Sequence, residues 1–196
     1  MRSIVLLLLS YTLFISCSNS DDGLENATLP DITTEGAGTF GARINGNVYI
    51  PRASQNGLVQ LPAFEADYHF DAENGYQLRI FTSNSNEGNI TLTIDLFTGN
   101  IPITEGMTYA LSESPYNGVD TFPNATCILN KDFGNTFLLG DFLTNEDHTG
   151  EIEILRFDIA NEIISGTFFF EAADDEQVIQ VTEGRFDLLF TNRTSD

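Results

Sequence analysis

Few residues in this chain have types and spacings suited to chemistry. Its 196 residues include two cysteines, Cys17 and Cys127, and two histidines, His69 and His148. All four are far apart, with none of the short spacings that gather nitrogen and sulfur ligands around zinc or iron. Carboxylates are plentiful, with Asp+Glu 29 against Lys+Arg 8. Carboxylates are hard oxygen donors that suit calcium. Asn145-Glu146-Asp147 and Asp174-Asp175-Glu176 concentrate them in turn-like runs. Asp147, Asp174, Asp175 and Glu176 are therefore the calcium candidates. Neither run has the Asp-x-Asp-x-Asp-Gly spacing of a helical calcium loop, and solvated loop tips are the simpler reading. No other cofactor is expected.

Two carboxylates roughly 5–10 Å apart across a cleft can hydrolyse a glycosidic bond. Asp95 and Asp187 lie on the polar sides of strand-like runs, where such acids would have to project. Solvent-facing residues on half-buried strands are the simpler account of both. The chain has no Gly-x-Ser-x-Gly elbow or phosphate loop, and no Gly-x-Gly-x-x-Gly run set between a strand and a helix as a dinucleotide fingerprint requires. Tyr116, in the turn-rich run 112–118, and Tyr49 are the candidate ligand contacts, able to stack on a sugar. Tyr68 and Tyr76 could do the same if they face outward. Each is more simply a core or rim tyrosine, and the chain has no Trp to serve as a sugar platform.

Cys17 is the exception to this sparse chemistry. One cation, Arg2, precedes an apolar run from Ile4 to Ile15. That is the charged head and apolar body of a signal peptide, too short for the roughly 20 residues a bilayer span needs. Phe14-Ile15-Ser16-Cys17 resembles a lipobox, with Phe where Leu is usual. The thiol of Cys17 then carries diacylglyceryl and its amine is freed by cleavage. Ser18-Asn19-Ser20-Asp21-Asp22 resembles the acidic tract behind the lipidated cysteine of surface-exported lipoproteins. Expected residues are thus 1–16 as signal peptide, 17–37 as lipidated cysteine and flexible acidic tether, and 38–196 as one domain. The membrane partner is reached through the lipid on Cys17. The expected location is the outer membrane, facing outward, with a periplasm-facing domain as the alternative.

The net charge is −21, and loss of Arg2 with residues 1–16 makes it −22. Such a field repels nucleic acid and favours cationic partners. With Cys17 lipidated, Cys127 has no disulfide partner and reads as a buried, inert thiol. Asn-x-Ser/Thr sequons at Asn26, Asn89, Asn124 and Asn192 read as incidental.

The elements that must position these residues are strands. Asn45-Gly46 sits between two β-like runs and supplies the positive φ angles of a tight hairpin turn. Ile90, Leu92, Ile94 and Leu96 alternate with Thr91, Thr93 and Asp95, as in a half-buried antiparallel strand. Further strands are expected at 68–70, 76–83, 107–111, 126–129, 136–143, 151–158, 163–172, 178–182 and 185–191. No apolar stripe of helical period is long enough for a major helix. About a dozen short strands in roughly 155 residues imply an all-β, antiparallel β-sandwich, with a barrel-like antiparallel fold as the alternative. Arg156-Phe157-Asp158 echoes Arg185-Phe186-Asp187, too briefly to be a repeat.

The run Thr39-Phe40-Gly41 to Ile44-Asn45-Gly46, then Ser165-Gly166-Thr167-Phe168 and Gly184-Arg185-Phe186-Asp187, resembles a family of flavobacterial-type Bacteroidota lipoproteins of the outer membrane and cell surface. The resemblance implies an address and a β fold, and no activity. The expected function is a non-enzymatic binding or structural module, monomeric, with a glycan or protein ligand. The alternatives are an accessory carbohydrate-active hydrolase and a calcium-stabilised adhesion-type domain. A hydrolase should show a deep cleft with converging acids, and a binding module shallow loops or an aromatic patch.

Overall fold

The computed structural model describes residues 28–56, 59–72, 75–84, 90–112, 124–133 and 136–194. Their regular structure is all β. In chain order the strands are β1 (Thr39–Ile44), β2 (Asn47–Tyr49), β3 (Ser54–Asn56), β4 (Val59–Leu61), β5 (Phe64–Asp71), β6 (Gly75–Asn84) and β7 (Ile90–Gly99). They continue as β8 (Thr108–Leu111), β9 (Asn124–Phe133), β10 (Thr136–Leu143), β11 (Gly150–Asp158), β12 (Ile163–Ala173), β13 (Val178–Leu189) and β14 (Thr191–Arg193). The β3–β4 hairpin pairs only with itself.

The remaining strands form two layers of a β-sandwich. One runs β14-β5-β6-β7-β9-β10 and the other β8-β11-β12-β13-β1-β2. They join at a corner where Leu143 of β10 pairs with Ala173 of β12. Neighbouring strands are antiparallel except β14, which lies parallel to β5. The described strands do not close into a barrel.

Alternation drives the packing. Leu92, Ile94 and Leu96 of β7 and Leu78 and Ile80 of β6 fill one inner face. Ile152 and Ile154 of β11, Ile164, Phe168 and Phe170 of β12, and Phe186 and Leu188 of β13 fill the other. Each such side chain contributes about 1.5–3 kcal/mol through removal from water. The layers meet through rings and one hydroxyl pair. Tyr68 of β5 lies edge-on to Phe157 of β11, with centroids 4.9 Å apart. The Tyr49 hydroxyl of β2 is 3.0 Å from Thr82 Oγ1 of β6.

The hairpin expected at Asn45-Gly46 is present. Both residues take positive φ, 48° and 82°, between β1 and β2. The expected strands 178–182 and 185–191 merge into β13. Glu183, at φ 50°, forms a bulge opposite both neighbouring strands. The extra residue shifts the side-chain phase, so Val181 and Phe186 both face inward although they are an odd five positions apart in sequence; their partners Phe170 and Gly166 on β12 are four apart.

The two closing motifs are paired strands in reciprocal register. Gly166 lies opposite Phe186, and Phe168 lies opposite Gly184. The Phe186 ring covers Gly166, with atoms 2.7 and 2.9 Å from where a Cβ would sit, and the Phe168 ring covers Gly184 likewise. Each motif's glycine thus makes room for the other's phenylalanine, which is a packing requirement.

Residues 28–37 read from composition as the end of a flexible tether. In the structure they form a strap across the outer face of β1, β13, β12 and β11. Its attachments are mostly the outward side chains of the echoed triplets. Arg185 Nη1 donates to the Pro30 carbonyl at 3.3 Å, and Arg156 Nη1 donates to the Thr34 carbonyl at 2.6 Å. Asp187 accepts from the Thr33 hydroxyl at 2.6 Å and from the amides of Glu35, Gly36 and Ala37 at 2.9, 2.7 and 3.2 Å. Leu29, Pro30, Ile50, Pro51 and Phe64 gather at the strap's start. The folded unit therefore includes residue 28 onward.

Candidate functional site

Beside the strap, the outer face of the second layer holds an open groove of about 300 Å³. Its floor is the backbone of β12 and β13 around Phe168 and Gly184, with Thr167 above it. Ile32 of the strap and Arg185 form one wall, while Thr108, Glu151 and Glu153 form the other. Phe169 stands in the groove, 52% exposed. Ile32, 54% exposed, is the groove's other large apolar surface.

Local strand geometry produces this arrangement. Phe168, Phe169 and Phe170 are consecutive on β12. Alternation sends Phe168 and Phe170 into the core and must send Phe169 outward. On β11, Ile152 and Ile154 point inward, so Glu151 and Glu153 point outward together. Glu151 lies in register with Ala110 and Phe169, and Glu153 with Thr108 and Thr167. Three of these four neighbours are short, which leaves open space above the two glutamates.

The groove's charges divide into two groups. Glu183 is satisfied internally, with Arg43 Nε 3.0 Å and Arg185 Nη2 3.6 Å from its carboxylate oxygens. Arg185 also serves the strap. Glu151 and Glu153 have no cation within ion-pair distance among the described residues. The groove therefore offers one aromatic ring and two free carboxylates.

A larger depression of about 480 Å³ lies on the outer face of the other layer, lined by Glu65, Asp67, Arg79, Phe81, Thr93 and Asp95. Most of its charges are paired across the strands. Arg79 Nε donates to Asp95 Oδ1 at 2.7 Å, and Arg193 Nη2 lies 2.9 Å from Asp67 Oδ1. These pairs tie β6 to β7 and β14 to β5, and leave Glu65 as the one lining charge without an ion pair among the described residues.

Asp95 and Asp187 sit on opposite outer faces of the sandwich, so they do not form a carboxylate pair across one cleft. Asp187 is also not solvent-facing, as its strand pattern suggested. It is 1% exposed beneath the strap. Burial pushes its carboxyl up, but the Thr33 hydroxyl and the amides of Glu35, Gly36 and Ala37 outweigh burial and hold it below the ordinary value. Asp158 is drawn down to about 2 by the Asn161 side chain and by Arg156.

Tyr49 is a core residue, 2% exposed, and its hydroxyl is engaged with Thr82 Oγ1 and the Ile90 carbonyl. It offers no face to a sugar, which corrects its reading as a ligand contact. Tyr68 is likewise buried, and burial raises its phenol to about 12. Tyr76 stacks on Tyr68 at 5.8 Å and meets the exposed Phe70 at 4.8 Å. Tyr116 and Cys17 lie outside the described residues.

The calcium candidates fall on two loops at the corner end of the sandwich. Asn145 Oδ1 accepts from the Asp147 and His148 amides, both at 2.9 Å. Asp174 Oδ1 accepts from the Glu176 and Gln177 amides at 2.9 and 2.7 Å. These are side-chain-closed turns. Asp147, Asp175 and Glu176 do not converge with them: among the described residues no three acidic, histidine or cysteine side chains gather as a metal would require.

Phe169, Glu151, Glu153 and Ile32 were not singled out from sequence, and Arg185 was noted only within its motif, not as a site residue. The signal for the first three was the strict alternation around them. Nothing local marked the strap residue Ile32. No family model, characterised protein or solved structure matches this chain.

Proposed function

We propose that this chain is a lipoprotein of the cell envelope, anchored through Cys17 on the outer membrane with its domain outward, and that it works as a non-enzymatic binding module. The apolar run ending at Ser16-Cys17 and the acidic tract behind it support the address. The binding role rests on one observation: Phe169 stands exposed in an open groove between a strap wall and two unneutralised glutamates. Monomeric proteins keep most large aromatic rings inside, so a ring presented in a concavity marks a contact surface. The groove is shallow, and Glu183, across β12 from Glu151 and Glu153, is held by Arg43 and Arg185, so no second free acid faces the pair. That arrangement suits holding a ligand better than cleaving one.

The test is a glycan and peptide array probed with the full chain and with Phe169→Ala. Binding that the variant loses supports the module. Turnover of a polysaccharide, abolished by neutralising one acid pair, would replace it with the hydrolase alternative.

A further inference from the structure

We infer that the groove takes an extended peptide segment with basic side chains at alternate positions and an apolar side chain set against Phe169. The inference rests on the groove being the binding site.

Three features of the site converge on that ligand. The first is charge. Glu151 and Glu153 are the groove's uncompensated groups, on a chain of net charge −21. An anionic ligand would be repelled, and a neutral one would leave both carboxylates without partners. The second is spacing. Glu151 and Glu153 are two residues apart on one strand, which places their Cα atoms about 6.6–6.8 Å apart on the same face. An extended peptide repeats its own side chains at that same interval, so lysine or arginine at positions i and i+2 meets the two glutamates in step. A sugar ring has no cations at that interval, and a polyamine, whose ammonium groups can match it, has no side chain to set against Phe169. The third is apolar contact. Phe169 is the cross-strand neighbour of Glu151, and Ile32 stands across the groove. A ring face beside carboxylates accepts either an alkyl side chain or the stem and head of a cation. Thr108, Ala110 and Thr167 are short enough to let a peptide backbone approach between these walls.

The competing surfaces carry less. The depression around Arg79 leaves one carboxylate, Glu65, without an ion pair among the described residues, where the groove leaves two. The calcium-candidate loops each close their own turn through one side-chain oxygen, and among the described residues their other carboxylates do not converge.

The experiment uses the full chain, purified in detergent, and labelled synthetic peptides followed by fluorescence anisotropy. One peptide carries two lysines at positions i and i+2, with leucine at i−2 and i+4 on the same face and threonine elsewhere. A second has the same composition with its two lysines adjacent, so that only one can face the glutamates. The alternating peptide should bind about threefold more tightly, from the one additional matched ion pair. Glu151→Gln and Glu153→Gln should each weaken it about threefold, and the double variant about tenfold. Phe169→Ala should weaken it by a similar factor, and added salt should weaken it further. Unchanged melting temperatures would show that these surface variants remain folded. Equal binding of the two lysine patterns, or full affinity in the double glutamine variant, overturns the inference. If lysine peptides fail while a neutral glycan binds in a Phe169-dependent way, the peptide falls and the groove reading stands. If neither peptides nor glycans bind in a Phe169-dependent way, the groove reading falls as well.

Discussion

Replacing Asp187 with Asn tests how residues 28–37 are held. The carboxylate receives four hydrogen bonds, from the Thr33 hydroxyl and the amides of Glu35, Gly36 and Ala37. Hydrogen bonds to charged groups contribute about 1.5–3 kcal/mol each, so a simple sum reaches roughly 6–12 kcal/mol. That sum overshoots. The strap can leave the sheet, and its freed amides then bond to water. An asparagine also keeps one accepting oxygen while turning an NH2 toward amide donors. A loss of about 2–4 kcal/mol is the reasonable expectation, or roughly 4–16 °C in melting temperature for a domain of this size. Hydrogen exchange gives the sharper readout: the amides of Glu35, Gly36 and Ala37 should lose protection before any core strand does. Acid should act in the same direction. The Asp187 pKa is depressed in the folded state, so its contribution is full above the unfolded carboxylate value near 4. It is lost as pH falls through the lower folded value. Wild-type protein should therefore lose strap protection on the acid side, and Asp187→Asn should lack that step. If the variant melts like wild type and its strap amides stay protected, the carboxylate does not hold the strap.

Three further outcomes are expected. Gly166→Ala puts a methyl group against the Glu153 carbonyl oxygen first and the Phe186 ring second and should destabilise by about 1–3 kcal/mol or more, read by chemical denaturation; a neutral result would mean that neither the strand pairing nor the glycine–phenylalanine packing is tight there. Tyr49→Phe removes the hydroxyl that joins β2 to Thr82 of β6 and should cost about 1–2 kcal/mol with the fold retained, whereas lost glycan binding at unchanged stability would restore Tyr49 as a contact. Cys17→Ser should leave the domain folded and unlipidated, and continued incorporation of labelled fatty acid would refute the anchor.

The strand pattern was legible because alternation is a local property. β7 shows it residue by residue, and Asn45-Gly46 announces its turn by the φ angles those two residues tolerate. β13 was misjudged because Thr182-Glu183-Gly184 resembles a turn in composition. There the chain keeps its pairing through a bulge, and the neighbours on both sides decide the outcome. Tyr49 shows the same limit. Its burial follows from the opposite layer, through β6, closing over β2, which nothing around residue 49 encodes. Asp187 looked solvent-facing because alternation reports the face a residue points to and says nothing of what lies over that face. Phe169 was the opposite case: its outward direction followed from Phe168 and Phe170, but its neighbours Glu151 and Ile32 come from elsewhere in the chain.

The strap changes what an anchor at Cys17 would mean. With 18–37 as free tether, a contour of about 3.3–3.6 Å per residue would allow roughly 70 Å between lipid and domain. With the chain captured at residue 28, only residues 18–27 remain as spacer, and the reach is at most roughly 35 Å. The captured segment is also the groove's wall, through Ile32. Arg156, Arg185 and Asp187 would therefore do two things with one set of bonds: shorten the proposed tether and shape the proposed ligand surface. Freeing the strap should loosen both together. In Asp187→Asn, the added reach and the weakened peptide binding should appear in the same variant, whereas Glu153→Gln should weaken binding and leave the reach unchanged. A variant that freed the strap yet bound the alternating peptide as well as wild type would separate the wall from the site.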